Sequence, residues 1–596
     1  MEIANLPPMR KRRKSHGAVL LLILLLLLFL LILSGLAYLS YDWYEKNYGP
    51  VYTRVDPDYG VEKPIIYKGE VWTASAIGTG ETLKLPLSFV QERIDSTVIY
   101  EEDSKSVIIT NQHEVLRLVT DQLTAWLNER PVALRFPIEL DEDGQVYIPI
   151  ELLSRYYGIT VDESPQTGIV TIQQPGDVIT WVEAVVTESE PSDAKSIALP
   201  VRLSPSIRAG IVGDMAPGER AKIWGESRGW YFVQIASGRI GYVDKRDMEW
   251  KGVEVATHHK PSPRSRYVPP KPMGESLFLV WEQVYANNPD PSKFDPMPGL
   301  NVVSPTWFHL MDEEGTLENR ADMAYATWAQ QQGYQIWALF SNGFDPDLTQ
   351  QALATYDRRM TMARQLISWA ALYELDGINV DFENVYLQDG PKLTQFMREL
   401  KPLLHEAGLT LSIDVTFISS NENWSMFYDR TALAEIVDYM IIMAYDEHWA
   451  TSPIAGSVAS LPWVERGLKA IIEQSQVPPE KIVLGVPFYT RRWAEQESEG
   501  NIKVSSKALG MDAVDQLIRE KGLLPVFDPV TQQNYVEYEE KGVRYKIWLE
   551  DEVSMRARIE LVHKYGLAGI AAWSRNFANE SIWTTIYQEL QVGVWK

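Results

Sequence analysis

The sequence predicts a multidomain protein: an α/β (β/α)8 TIM barrel with a small α+β insertion, preceded by an α+β stalk domain, a small β-barrel and one N-terminal transmembrane helix. Three observations carry this reading. Eight strand-like runs, most followed by helical patterns, occupy residues 273–596, the alternation expected of a parallel barrel. An uncharged, Leu-rich run spans 17–41. Between 63 and 178 a motif recurs at an offset of 63 residues. A length of 596 residues itself suggests three or four domains.

The uncharged run is long enough to cross a bilayer as a helix. The Arg-Lys-Arg-Arg-Lys stretch at 10–14 should hold residues 1–16 in the cytoplasm and place the rest of the chain outside. Tyr38, Tyr41, Trp43 and Tyr44 then sit at the outer interface. The expected location is the cell membrane, single-pass, with an extracellular C-terminal domain. The alternative is a signal peptide cleaved near Ala37, with secretion; the apolar block exceeds a usual signal core, which favours the anchor. Residues 42–62 are expected to be a tether.

In the repeat, Leu85-Pro86-Leu87-Ser88-Phe89-Val90 matches Ile148-Pro149-Ile150-Glu151-Leu152-Leu153, and Val107 and Ile109 match Val170 and Ile172. Each half predicts a helix with Pro in its first turn, then a strand pair. Residues 185–252 show strands punctuated by Gly turns, such as Gly229-Trp230-Tyr231 and Gly238-x-x-Gly241-Tyr242-Val243, predicting the small barrel. Trp230 and Tyr242 are expected in its core. The Pro-rich stretch 253–272 is expected to be an extended linker, with His258-His259 solvated. The repeat region resembles the stalk domains named after the copper amine oxidase N-terminus, a name that implies no copper chemistry; the small barrel resembles bacterial SH3 domains.

Composition excludes some classes. A net charge of -24 argues against a nucleic-acid partner. With no cysteine, neither disulfides nor thiolate metal sites are possible. No metal and no cofactor are expected.

The eight predicted strands are 277–281, 302–307, 335–340, 377–382, 410–415, 439–445, 482–488 and 569–573. The gap after the seventh predicts the insertion, about 496–550, with a hairpin at 534–538 and 544–548. In the fourth strand Asn379, Asp381 and Glu383 alternate with Ile378, Val380 and Phe382. The polar set therefore shares one face, with successive Cβ atoms about 7 Å apart. Carboxylates aligned on a buried face are either paired or used, and the C-terminal end of a barrel strand is where such sites open.

Asp376-Gly377-x-Asn379-x-Asp381-x-Glu383 resembles the DGxDxDxE motif of family 18 glycoside hydrolases, with Asn379 standing where many members carry Asp. Three further stretches resemble that family in the expected order: Met443-Ala444-Tyr445-Asp446, Gly485-Val486-Pro487-Phe488-Tyr489 and Gly569-Ile570-Ala571-Ala572-Trp573-Ser574. The resemblance covers 273–596. It implies Glu383, Asp381 and Tyr445 as catalytic residues, and Asn379, Met443, Asp446, Tyr489 and Trp573 as substrate-binding. It also implies an N-acetylglucosamine-containing polysaccharide as partner, cleaved with help from the sugar's own acetamido group. Asn379 is expected to hydrogen-bond Asp381 without sharing its charge, shifting the pH optimum. The anchor and the SH3-like module favour peptidoglycan. The alternatives are a chitinase-type hydrolase on other N-acetylglucosaminyl glycans and a non-catalytic, carbohydrate-binding wall protein.

Overall fold

The computed structural model describes residues 16–185, 198–257, 276–498 and 501–592. The basic tail at 10–14 and most of the expected 253–272 linker, His258 and His259 included, lie outside the described residues. The chain forms two compact units, one from residues up to 94 with 139–261, the other from 95–138 with 262–596.

The first unit begins with helix α1, His16–Tyr48, whose span from Val19 is long and apolar enough to cross a membrane. The expected tether is helical up to Tyr48. Beyond it the chain is strapped to the small β-domain: Val51 N–H donates to Ile207 O at 3.0 Å and Val55 N–H to Ile211 O at 2.9 Å. Gly210 makes room for this strap, since a Cβ there would lie 2.7 Å from Val55. The small domain is a seven-stranded sheet with a core of Val182, Val201, Val212, Val233 and Val243. Val178–Ala184, just outside the expected boundary, belongs to it, pairing with both Arg220–Ser227 and Met248–Val255. Trp230 and Tyr242 are half-buried rather than core.

The repeat is visible as two short strands, Lys84–Pro86 and Val146–Pro149, paired antiparallel with Ile148 opposite Leu85. Each leads into a short helix, Leu87–Arg93 or Ile150–Tyr157. Pro86 and Pro149 keep extended backbone and cap these helices instead of entering the first turn. The stalk region is otherwise mostly strands. Its two halves part company, because 95–138 falls in the second unit.

The second unit is a closed barrel of eight parallel strands: β1 Leu277–Glu282, β2 Val302–Pro305, β3 Gln335–Ser341, β4 Gly377–Asp381, β5 Thr410–Val415, β6 Tyr439–Met443, β7 Ile482–Pro487 and β8 Gly569–Trp573. They pair in chain order, and β8 returns to β1. All eight predicted strands are present. The strand alternation sorts side chains into two layers. Ile378, Val380 and Phe382 pack outward among the helices, whereas Leu279, Trp281, Trp337, Leu339 and Ile441 fill the barrel interior. Gly377 is required by close approach: a Cβ there would lie 2.8 Å from Trp337 and 2.9 Å from Thr410 O.

After β7 comes a five-stranded antiparallel sheet with the helix Met511–Lys521. Its strands Gln533–Glu540 and Val543–Trp548 form the predicted hairpin. The insertion starts earlier than about 496, because Tyr489–Ser498 is already its first strand. On the barrel's outside, the five-stranded sheet from 95–138 packs against α2 (Tyr356–Tyr373) and α3 (Gly390–Glu406), contributing Ile108 and Val115 to the helix-layer core. Arg117 makes a bidentate contact with Asp357 at 2.7 and 3.1 Å. The buried Arg359 guanidinium bonds Glu101 at 2.6 Å and Glu399 at 2.7 and 2.8 Å.

Candidate active site

The barrel mouth opens into a cleft of about 900 Å³. Asp381 and Glu383 reach it from the end of β4, Asp414 from β5, Met443, Tyr445 and Asp446 from β6, and Trp573 from β8. Tyr489, first residue of the insertion, also lines it, its hydroxyl donating to Asp446 Oδ1 at 2.6 Å. Seven of the eight residues expected from the sequence thus meet in one cavity. Phe344, Trp424 and Trp449 extend its wall with exposed aromatic faces.

Glu383 lies just past the strand, where the ladder no longer holds the backbone. Asn342, fully buried beyond β3, takes over: its Nδ2 donates to Glu383 O at 2.8 Å and its Oδ1 accepts the Glu383 N–H at 3.1 Å. The Tyr428 hydroxyl donates to Phe382 O at 2.8 Å. The loop carrying the carboxylate is therefore fixed from both sides.

Asn379 is the exception. It was expected to contact substrate, but it is fully buried and is not among the residues lining the cleft. Nor does its amide bond Asp381. Its Oδ1 accepts from Trp281 Nε1 at 2.9 Å and Ser304 Oγ at 3.2 Å. Its Nδ2 donates to Ser412 Oγ at 3.1 Å and Asp414 Oδ1 at 2.7 Å. All four of its hydrogen-bonding positions are used inside the barrel. Asp414 was missed in the sequence, although Ser412 and Asp414 alternate with Leu411 and Ile413 in β5 as the polar set does in β4. Trp281 was missed as well.

Three carboxyls crowded into one largely buried site repel each other's charge. Burial pushes Asp381 up to about 7. Burial, then the Asp381 and Asp446 charges, raise Glu383 well above its usual range. Burial and the Asp381 charge raise Asp414 likewise. The Tyr445 phenol, pushed up by burial and then by Asp414 and Glu383, stays protonated. Asp381 Oδ1 is buried with no hydrogen-bond partner among the described residues. The site thus holds protons near neutral pH and offers an unfilled acceptor.

These raised values have a stability consequence. Between the unfolded carboxyl value of about 4 and the folded value of Asp381, about 7, the native state binds more protons than the unfolded one, so stability falls as pH rises through that window. Asn379→Asp would add a fourth carboxyl at hydrogen-bond distance from Asp414. The loss of melting temperature relative to the native protein should grow from pH 5 to pH 8; a pH-independent loss would refute this account.

Comparison with known proteins agrees with the geometry. Residues 308–578 match the model of glycosyl hydrolases family 18. Over that span the barrel is similar to the family 18 glycosidases. Residues 67–172 match the copper amine oxidase N-terminal domain and 197–249 the bacterial SH3 domain. The cortical fragment-lytic enzyme of Bacillus anthracis is 28% identical over 288 residues, 47% of this chain and 66% of that protein. The uncharacterized glycosylase YvbX of Bacillus subtilis (strain 168) is 24% identical over 299 residues, 48% of this chain and 84% of that protein. Among solved structures, the spore cortex-lytic enzyme SleL of Bacillus cereus is 24% identical, covering 53% of this chain and 74% of that one, with a TM-score of 0.47.

Proposed function

We propose that the protein is a membrane-anchored extracellular glycosidase that cleaves β-1,4 bonds after N-acetylglucosamine in peptidoglycan, by a retaining, substrate-assisted mechanism. The observation that carries this reading is the cluster of Asp381, Glu383 and Asp414 at the mouth of an aromatic-walled cleft. Glu383, kept protonated by burial and by the neighbouring charges, delivers its proton to the leaving glycosidic oxygen and afterwards takes one from the attacking water. The sugar's acetamido oxygen attacks the anomeric carbon and closes an oxazolinium ring, which water then opens with net retention. Asp381 supplies the acceptor for the acetamido N–H, a role matched to its unpartnered buried oxygen. The Tyr445 hydroxyl donates to the acetamido oxygen as that ring forms, and Trp573 offers the sugar an apolar face. Asn379 acts from beneath, holding Asp414 within the carboxyl cluster.

Peptidoglycan is favoured over chitin by the apolar helix α1, by the SH3-like domain, and by the cortex-lytic names among the relatives. The deciding experiment is mass spectrometry of products from the full-length chain, in detergent, on peptidoglycan and on chitin oligomers. New reducing-end N-acetylglucosamine from peptidoglycan is expected. Products from chitin alone would keep the mechanism and discard the wall substrate. Binding without products would assign the barrel to carbohydrate recognition.

A further inference from the structure

A second groove, of about 460 Å³, lies on the outer side of the loops that carry the site. Leu387 and Arg398 line one flank, and Met426, Phe427 and Asp429 the other. Its exposed surface is apolar where Leu387 and Met426 stand, at 39% and 49% exposure. Arg398, half-buried, makes no side-chain hydrogen bond or ion pair among the described residues. Asp429 caps the helix Arg430–Ile436 through one oxygen, Oδ1, which accepts from Ala432 N–H at 3.0 Å. Its second oxygen has no such duty.

The groove and the cleft share walls. On the segment Glu422–Met426, Trp424 lines the cleft and Met426 the groove, at most about 7 Å apart along the chain. On the facing loop Glu383 lines the cleft and Leu387, four residues on, the groove. The two loops are tied by Val385 N–H donating to Asn423 O at 3.0 Å. A glycan strand occupying the cleft therefore passes directly beside this groove. The lining suits a group that brings a negative charge for Arg398, short apolar groups for Leu387 and Met426, and an amine or amide donor for Asp429.

Resting on the peptidoglycan reading above, we propose that this groove binds the peptide stem of the glycan strand. A stem carboxylate pairs with Arg398, stem methyl groups lie on Leu387 and Met426, and a stem ammonium or amide N–H meets the free oxygen of Asp429. The groove is then a specificity device: it rewards glycan that still carries its peptides and leaves the bond-breaking chemistry to the cleft.

The test compares the full-length protein with Arg398→Gln and Arg398→Lys on intact peptidoglycan and on the same strands stripped of stems by an amidase. Arg398→Gln should lower kcat/KM on intact strands about tenfold, mainly through KM, the size of one charge-assisted hydrogen bond. It should leave stripped strands unaffected, and Arg398→Lys should recover part of the loss. Equal losses on both substrates, or none on either, would overturn the proposal. Calorimetry with a free stem tetrapeptide separates this from the hydrolase reading. Binding by the native protein and by Glu383→Gln, weakened by Arg398→Gln, is expected even if no strand is cleaved. Failure of the native protein to bind the tetrapeptide, with strand cleavage intact, would refute the groove and spare the enzyme.

Discussion

Glu383→Gln should lower hydrolysis by about 10²–10⁴-fold, the range supplied by a positioned acid–base group. The exchange keeps the side chain's size and one acceptor, so the clamp that Asn342 places on the Glu383 backbone survives. What is lost is the transferable proton. Glycan binding, measured by co-sedimentation with insoluble peptidoglycan, should stay within a few-fold of native, because the aromatic walls are untouched. The pH profile supplies a second readout. The Asp381 charge helps to hold the Glu383 proton. Asp381→Asn should therefore move the alkaline limb of the remaining activity to lower pH, besides reducing the rate. An alkaline limb that stays in place would show that another group governs it.

The second large effect concerns stability. Arg359→Ala should cost about 3–5 kcal/mol, the range for removing one partner of a buried ion pair. Arg359 bridges Glu101, on the sheet from 95–138, and Glu399, on α3, the latter fully buried. Truncation leaves both carboxylates without their cation, and a loss of this size is a large part of what holds a domain together. Urea unfolding followed by tryptophan fluorescence measures it. The triple change Arg359→Met, Glu399→Met, Glu101→Leu should recover most of the loss, since apolar replacement of a whole buried ion cluster is often neutral. If Arg359→Ala costs under about 1 kcal/mol, the cluster behaves as a surface pair.

Much of the barrel was legible because its signal is local. In β4 the alternation of Ile378, Val380 and Phe382 with Asn379 and Asp381 assigned each residue to its layer, and the structure keeps that assignment. The cleft residues Tyr445, Asp446, Tyr489 and Trp573 were likewise readable from short stretches at strand ends. Asn379 was misread for the opposite reason. Its partners Trp281 and Ser412 stand 98 and 33 residues away, and only barrel closure brings them to its amide. Strand patterning says which face a side chain takes, not which neighbour wins its hydrogen bond. The split of the repeat region was hidden in the same way. Glu101, Arg117 and Glu129 look like solvated charges in the sequence, yet each meets a partner on α2.

That docked sheet changes what a protease can release. The chain enters the second unit at 95, leaves it at 138 and returns at 262. A cut in the Pro-rich stretch before the barrel severs the last of these crossings but not the grip of the sheet, which holds α2 and α3 through Arg117, Arg359 and the shared apolar core. Separation of the barrel from the rest of the chain would then need two events, a backbone cut and the undocking of a buried ion cluster. A nicked molecule would stay assembled in native electrophoresis and fall apart only in denaturant.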